Sequence, residues 1–438
     1  MSISRTKTLS IDASLTRRRV LQMSSTAALA VAIKTAFPGG AFAQGAGPEV
    51  KGTKLGYIAL TDAAPLVIAK EKGYFAKHGV PDMEILKQAS WGATRDNMAL
   101  GTKANGIDGG HILSPKPYLY GTGKVMQNNQ PLPMYTLLRL NEDCQGLSVS
   151  NEYKDLPVGV DSSALKEAFA KKKAAGKEVK AAMTFPGGTH DLWIRYWLAA
   201  GGIDPDKDIQ TIVVPPPQMV ANMKVGTMDA FCVGEPWNEQ LVNQDIGFTA
   251  CTTGEIWFKH PEKVLGMRAD WVDANPKAAL AIMMATMEAQ IWCEKMENKQ
   301  EMAEIIGRRQ WFNVPVPDII GRIKGDINYG RGKVAKGTNL LMKFWGEKGE
   351  VSYPWKSLDS WFVTENIRWG KFAPDTDIKA LVDKTNRSDL WLAAAKGLGL
   401  KDMPSGDSRG PETFFDVKVF DPADPQGYLK SLGIKRIA

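Results

Sequence analysis

An α/β fold in two lobes is what this 438-residue sequence predicts. Short apolar runs of strand length alternate with helical stretches up to about residue 250, the pattern of mostly parallel sheets covered by helices. Glycines stand where strands give way to helices, and the chain is long enough to bury two separate cores. With 44% apolar and 24% charged residues, the composition is that of an ordinary globular chain.

Taken in order, Lys54 to Leu60 reads as a short buried strand. Residues 65–73 read as a helix, with Pro65 in the first turn and Gly73 as the stop. Val80 to Leu86 leads into a second strand. Leu165 to Lys180 is rich in Ala and Lys and interrupted by Gly176, so it reads as a helical excursion whose basic run, Lys171 to Lys173, is a solvated face. Asn275 to Met296 has few charges before Glu288 and predicts a long, largely buried helix whose methionines fill core space. Trp345, Trp355, Trp361, Trp369 and Trp391 read as packing anchors of an irregular C-terminal extension, and Pro404 to Gln426 as loop. No internal repeat of 20–50 residues is visible.

The N-terminus has the order of an export signal. Arg17-Arg18-Arg19 precedes a mildly apolar stretch, Met23 to Phe37, and then the small-x-small site Ala41-Phe42-Ala43. Paired arginines before a weak apolar region are the twin-arginine pattern, which predicts cleavage after Ala43 and a mature start at Gln44. Residues 1–43 carry six basic residues (Arg5, Lys7, Arg17, Arg18, Arg19, Lys34) and one acid (Asp12), so without them the formal charge falls from +7 to about +2. The basic excess therefore belongs to the leader and gives no support to nucleic-acid binding. No Cys follows the cleavage site, so no lipid anchor is expected there, and no later run of 18 apolar residues predicts a membrane span. The four cysteines, Cys144, Cys232, Cys251 and Cys293, form no metal spacing; disulfides and isolated buried thiols both remain open.

Five stretches could carry chemistry. Ala182 to His190 (Ala-Met-Thr-Phe-Pro-Gly-Gly-Thr-His) reads as strand, glycine turn and helix start near Thr189. A helix start offers unpaired N–H groups and a positive dipole end, hence an anion site with His190 as an added donor; the alternative is an ordinary capped turn with His190 on the surface. Ala230 to Val233 ends at Gly234-Glu235-Pro236, a strand end of the kind where open α/β sheets bind ligands, with Trp237 as a possible wall. Gln88 to Arg95 places Trp91 beside Gly92, for stacking on a flat ligand or simply for packing. Gln145 could donate an amide N–H. Glu255 to Lys263 supplies Lys259 and Lys263 beside a turn. The four histidines form no HExxH, and neither GxSxG nor a Walker A loop is present, so an enzyme finds little footing.

The strings Gly-Tyr-Ile-Ala-Leu-Thr-Asp, Ala-Ser-Trp-Gly, Phe-Pro-Gly-Gly-Thr-His-Asp, Cys-Val-Gly-Glu-Pro-Trp-Asn, His-Pro-Glu-Lys and Glu412 to Pro422, in that order, resemble the nitrate/nitrite/bicarbonate binding proteins of ABC importers, from about residue 52 to the end. The resemblance implies a two-lobed periplasmic-binding-protein clam-shell of type II with a C-terminal extension, closing by hinge motion on its ligand. Its implied division is 1–43 leader, 44–145 and 255–345 lobe I, 146–254 lobe II, and 346–438 extension. It implies nitrate contacts at Trp91, Gln145, His190, Val233, Gly234, Glu235 and Lys263, with Lys259 as the alternative lysine. Glu235 is expected to act through its backbone N–H while its carboxylate pairs with a lysine. Nitrate accepts hydrogen bonds only and wants N–H donors and positive charge, which ranks it above bicarbonate; no cofactor is implied, calcium entering only for bicarbonate. The implied partners are an importer's permease and ATPase subunits, in a periplasm and not in an enzymatic role.

Overall fold

The computed structural model describes residues 47–437; the leader and the cleavage site at Ala43 lie outside them. Ten strands frame the architecture: β1 (Lys54–Tyr57), β2 (Glu84–Lys87), β3 (Gly109–Leu113), β4 (Met134–Glu142), β5 (Gln145–Ser150), β6 (Lys180–Met183), β7 (Gln210–Val213), β8 (Ala230–Gly234), β9 (Gly247–Thr252) and β10 (Pro261–Arg268). They form two five-stranded sheets of order β2-β1-β3-β10-β4 and β7-β6-β8-β5-β9. Strand β1 runs parallel to β2 and β3, while β10 is antiparallel to β3 and β4. The second sheet repeats the scheme: β6 is parallel to β7 and β8, and β5 is antiparallel to β8 and β9. The mostly parallel expectation therefore holds except for one reversed strand per sheet, and each reversed strand is the one arriving from the other sheet.

That reversal positions the site. The chain leaves the first sheet at the carboxyl end of β4, passes through Asp143 and Cys144, and enters the second sheet at the carboxyl edge of its parallel strands, with Gln145 beside Gly234. It returns through a short helix, Thr253–Ile256, so that Lys263 pairs with Leu113 at the end of β3. Both crossings thus deliver their first residues to the strand ends, the side on which open α/β sheets bind ligands.

Eight helices bear on the argument: α1 (Ala64–Glu71), α2 (Trp91–Leu100), α3 (Lys116–Gly121), α4 (Thr189–Ala200), α5 (Trp237–Asn243), α6 (Pro276–Glu294), α7 (Pro317–Lys324) and α8 (Lys356–Arg368). Helix α1 carries Pro65 in its first turn and is followed by Gly73 at φ +73°, as its sequence predicts. Helix α6 is buried along most of its length. The Ala- and Lys-rich stretch is helical over Ala164–Ala174, but Lys172 is not simply solvated: its Nζ lies 2.6 Å from the buried carboxylate of Asp229.

The C-terminal extension is not irregular. It contains α8 and three further helices, Ile378–Thr385, Ser388–Gly397 and Pro425–Ser431, and the stretch read as loop holds a small antiparallel pair, Glu412–Thr413 with Val419–Phe420. Helix α8 buries Asp359, Thr364, Glu365 and Asn366 along with Trp361 and Phe362, so no polar face marks it as helical. Trp361 stacks on Trp193 of α4, 4.9 Å between rings at 19°. The buried Asp359 pairs with Arg139 of β4 at 2.7 Å, and Asn366 Nδ2 donates to the Gly187 carbonyl at 3.1 Å, so α8 packs on elements of both sheets. Of the five tryptophans read as anchors, all but Trp355 are buried. All four cysteines are buried free thiols.

Candidate functional site

Turn chemistry brings the two sheet edges together. Helix α4 begins at Thr189 after Gly187 and Gly188, and a Cβ on Gly188 would lie 2.5 Å from Leu113 Cδ1. Only glycine lets the end of β3 approach this closely. A Cβ on Gly234 would meet Gln145 Oε1 at 2.7 Å and Asp62 Oδ2 at 3.4 Å, so the bare backbone at the end of β8 leaves room for a polar cluster.

Lys263 is the hub of that cluster. Its Nζ donates to Asp62 Oδ2 at 2.8 Å and Glu262 Oε1 at 2.7 Å, and stands 3.4 Å from His190 Nε2. All four side chains are fully buried. Neighbours on a regular strand point to opposite faces, yet Glu262 and Lys263 both reach the cluster, because the register of β10 against β4 shifts on either side of Lys263. Burial lowers the Lys263 ammonium, but Asp62 and Glu262 outweigh it and hold its pKa above the ordinary lysine value. Burial raises Asp62, and the Lys263 and His111 charges more than reverse it, so its carboxyl lies well below the usual range. For Glu262 burial wins over Lys263, and its pKa is raised. Asp62 Oδ1 also receives His111 Nε2 at 2.5 Å, while Glu262 accepts from the Thr189 hydroxyl at 2.5 Å and from Trp193 Nε1 at 2.8 Å.

Burial first, and then the Lys263 charge, keeps His190 far below the ordinary histidine pKa, so it is neutral. Its Nδ1 lies 2.6 Å from the Thr184 hydroxyl and its Nε2 2.9 Å from Gln145 Oε1. Since Gln145 Oε1 can only accept, the proton sits on Nε2 and the Thr184 hydroxyl donates to Nδ1. Gln145 Nε2 in turn donates to Asp62 Oδ2 at 3.2 Å. Helix α4 thus begins beside a carboxylate, Glu262, as its dipole favours.

Beside the cluster lies a group of donors with no acceptor. Trp91 opens α2, whose N-cap Ser90 accepts from Ala93 N at 3.1 Å, and its ring is 5.3 Å from that of His111. Trp91 Nε1, Thr61 Oγ1 and the Tyr120 hydroxyl are buried without hydrogen-bond partners among the described residues. Lys116, fully buried at the start of α3, has its Nζ 3.0 Å from the Trp91 carbonyl, 4.6 Å from the Trp91 ring and 4.1 Å from the Phe185 ring. Buried polar groups are rarely left unpaired, so unfilled donors beside buried cations suit a small acceptor-rich ligand.

Of the residues singled out in the sequence, Trp91, Gln145, His190, Gly234 and Lys263 converge here. Lys259 does not: it is exposed, and its backbone N–H bonds Asp143. Val233 lies in β8 with its carbonyl accepting from Asn238 at 2.8 Å. The carboxylate of Glu235 meets Arg322 of α7 at 3.2 Å, and not the expected lysine; burial, resisted by Arg322, pushes its pKa up to about 7. The Glu235 carbonyl accepts from Thr61 N at 2.7 Å, and Trp237 Nε1 donates to the Ala59 carbonyl at 3.0 Å, so both tie the second sheet to the first. Sequence reasoning missed Asp62, His111, Lys116 and Glu262. Asp62 and Glu262 lie inside two of the strings that carried the resemblance, whereas nothing local distinguishes Lys116 from a surface lysine. Among the described residues no group of three His, Cys, Asp or Glu side chains could hold a metal ion, and no helix is long and apolar enough to cross a membrane.

Residues 46–307 match the profile of the NMT1-like family. Over 393 residues the chain is 59% identical to a nitrate/nitrite binding protein, NrtA, of Synechocystis, covering 89% of this chain and 86% of that one. It is 46% identical over 397 residues to a bicarbonate-binding protein, CmpA, of Synechococcus elongatus, with 89% and 88% covered. The crystal structure of the periplasmic nitrate-binding protein NrtA from Synechocystis superposes with a TM-score of 0.86, covering 89% of this chain and 100% of that one.

Proposed function

The chain belongs to the NMT1-like family, and from that premise we propose that it is the periplasmic substrate-binding protein of an ABC importer, taking nitrate as its cargo. One observation carries the choice of cargo: a fully buried cluster between the two sheets in which Lys263, the neutral His190 and Gln145, whose N–H groups face Asp62, Glu262 and each other, lie beside the unpartnered Trp91 Nε1 and the buried Lys116. Nitrate is flat, singly charged and accepts hydrogen bonds only, so it matches such a lining. Nitrite meets the same donors. The role is capture and delivery, not catalysis, in keeping with the binding proteins the chain is similar to. Docking on permease and ATPase subunits follows from it, as does export by the twin-arginine leader.

Bicarbonate carries a proton of its own and asks for a free carboxylate acceptor. The oxygens of Asp62 and Glu262 are already engaged by His111, Gln145, Lys263, Thr189 and Trp193. Calcium needs six to eight oxygens, and the cluster is largely nitrogen donors and cations, so its residues do not fit that ion. Isothermal titration calorimetry with nitrate, nitrite and bicarbonate, the last with and without calcium, tests the reading. Nitrate is expected to bind without calcium with a dissociation constant on the order of micromolar or tighter. Binding of bicarbonate alone would reject the cargo.

A further inference from the structure

The charge of Lys263 is already spoken for by two carboxylates at 2.7 and 2.8 Å. Lys116 differs: it is equally buried, no carboxylate among the described residues lies within ion-pair distance of it, and its hydrogen bond goes to a neutral carbonyl, that of Trp91. A buried cation without an anion costs several kcal/mol and is retained where something supplies the missing charge. The groups around it are of one kind. Trp91 Nε1 and the Tyr120 hydroxyl lack acceptors, and Tyr120 and Phe185 pack against each other edge to face while their rings lie 5.4 and 4.1 Å from Nζ.

We propose that Lys116 is a specificity-determining residue: the bound oxyanion takes its countercharge from Lys116 Nζ, with Trp91 Nε1 and the Tyr120 hydroxyl as companion donors. This rests on the reading of the cluster as an oxyanion site and assigns the source of its charge selectivity. The charged and titratable groups that act on Lys116 are Arg95 and Asp96 of α2, His111 of β3, His190 of α4 and Lys263 of β10. Burial, then Arg95 and Lys263, push the Lys116 pKa well below the ordinary lysine value, with Asp96 opposing. An anion arriving at Nζ opposes that effect and favours the charged form. A neutral analogue of the same shape gains nothing from this arrangement, which is how the residue selects for charge.

The test is calorimetric titration of the purified protein with sodium nitrate at pH 7.5 in Tris for wild type, K116M and K116Q, with thermal melting of each ligand-free protein. Wild type is expected to bind nitrate. K116M is expected to bind nitrate about tenfold or more weakly and to melt at the same or a higher temperature, since methionine fills the space without a buried cation. Binding by K116M within twofold of wild type would overturn the proposal, as would weaker binding accompanied by a lower melting temperature. If wild type itself does not bind nitrate, the oxyanion reading fails first, so the two failures are told apart.

Discussion

His190 sits uncharged within 3.4 Å of an ammonium because burial and that ammonium both oppose its protonation. The sign of the resulting pH dependence follows. The folded state refuses a proton that the unfolded chain takes up below about pH 6.5, so this histidine costs stability as pH falls through that value, up to about 1.4 kcal/mol per pH unit. His260, pushed down to about 3 by burial, acts in the same direction. Urea unfolding at pH 7.5 and 5.5 should show a smaller loss for His190→Asn than for wild type, by up to about one proton's worth; equal losses would mean that His190 titrates normally. Affinity gives a second check at this scale. Lys263→Glu should abolish nitrate binding, whereas Lys259→Glu, on an exposed turn, should leave it within about twofold. Residues of this kind were legible where local chemistry marked them. The glycines before Thr189 and at Gly234 announce turns, so His190 and the end of β8 stood out. Lys116 did not, because what distinguishes it is the absence of an anionic partner among the described residues, and only tertiary structure shows that.

Among the elements, β10 and α8 do what their sequences do not advertise. The register shifts of β10 bring Glu262 and Lys263 to one place, an outcome that strict alternation forbids. Helix α8 carries a buried polar set for Arg139 and Gly187, and that same set hides its periodicity. The long apolar α6, by contrast, was plain in the sequence because it needs no polar partners along most of its length. Trp193 joins the extension to the site: its face stacks on Trp361 and its Nε1 holds Glu262. Trp361→Ala should therefore lower unfolding stability by about 3–5 kcal/mol in urea titration. It should also weaken nitrate binding, while a Trp361→Phe variant restores most of both. Unaltered affinity in Trp361→Ala would show that the extension does not brace the site.

For the molecule as a whole, the central fact is that the cluster has no route to solvent as it stands. Asp62, His111 and Lys263 come with the first sheet, and Gln145, His190 and Gly234 with the second, all at strand ends that face one another. Thr61 to Glu235, Ala59 to Trp237, and Glu262 to Thr189 and Trp193 tie the two sides. Cargo can enter or leave only if these contacts separate, which is the domain closure expected of such a protein. The two crossings between sheets are the places for a hinge, and three of their residues, Asp143, Cys144 and Lys259, already hold positive φ. The two-sheet plan was legible from alternating strands and helices. The resemblance put lobe boundaries near residues 145 and 254, where the chain crosses, but the reversed direction of β5 and β10 was not legible, since each looks like any other strand until its partners are known.

A crystal structure grown with sodium nitrate tests the central claim most directly. The account predicts a planar anion enclosed between the sheets, within hydrogen-bond distance of Lys116 Nζ, Trp91 Nε1 and at least one of Lys263 Nζ and His190 Nε2, beside Gln145 and Gly234. A cluster in which Lys263 still holds Asp62 and Glu262 with no anion among the donors, or nitrate bound instead beside Lys259, would contradict it.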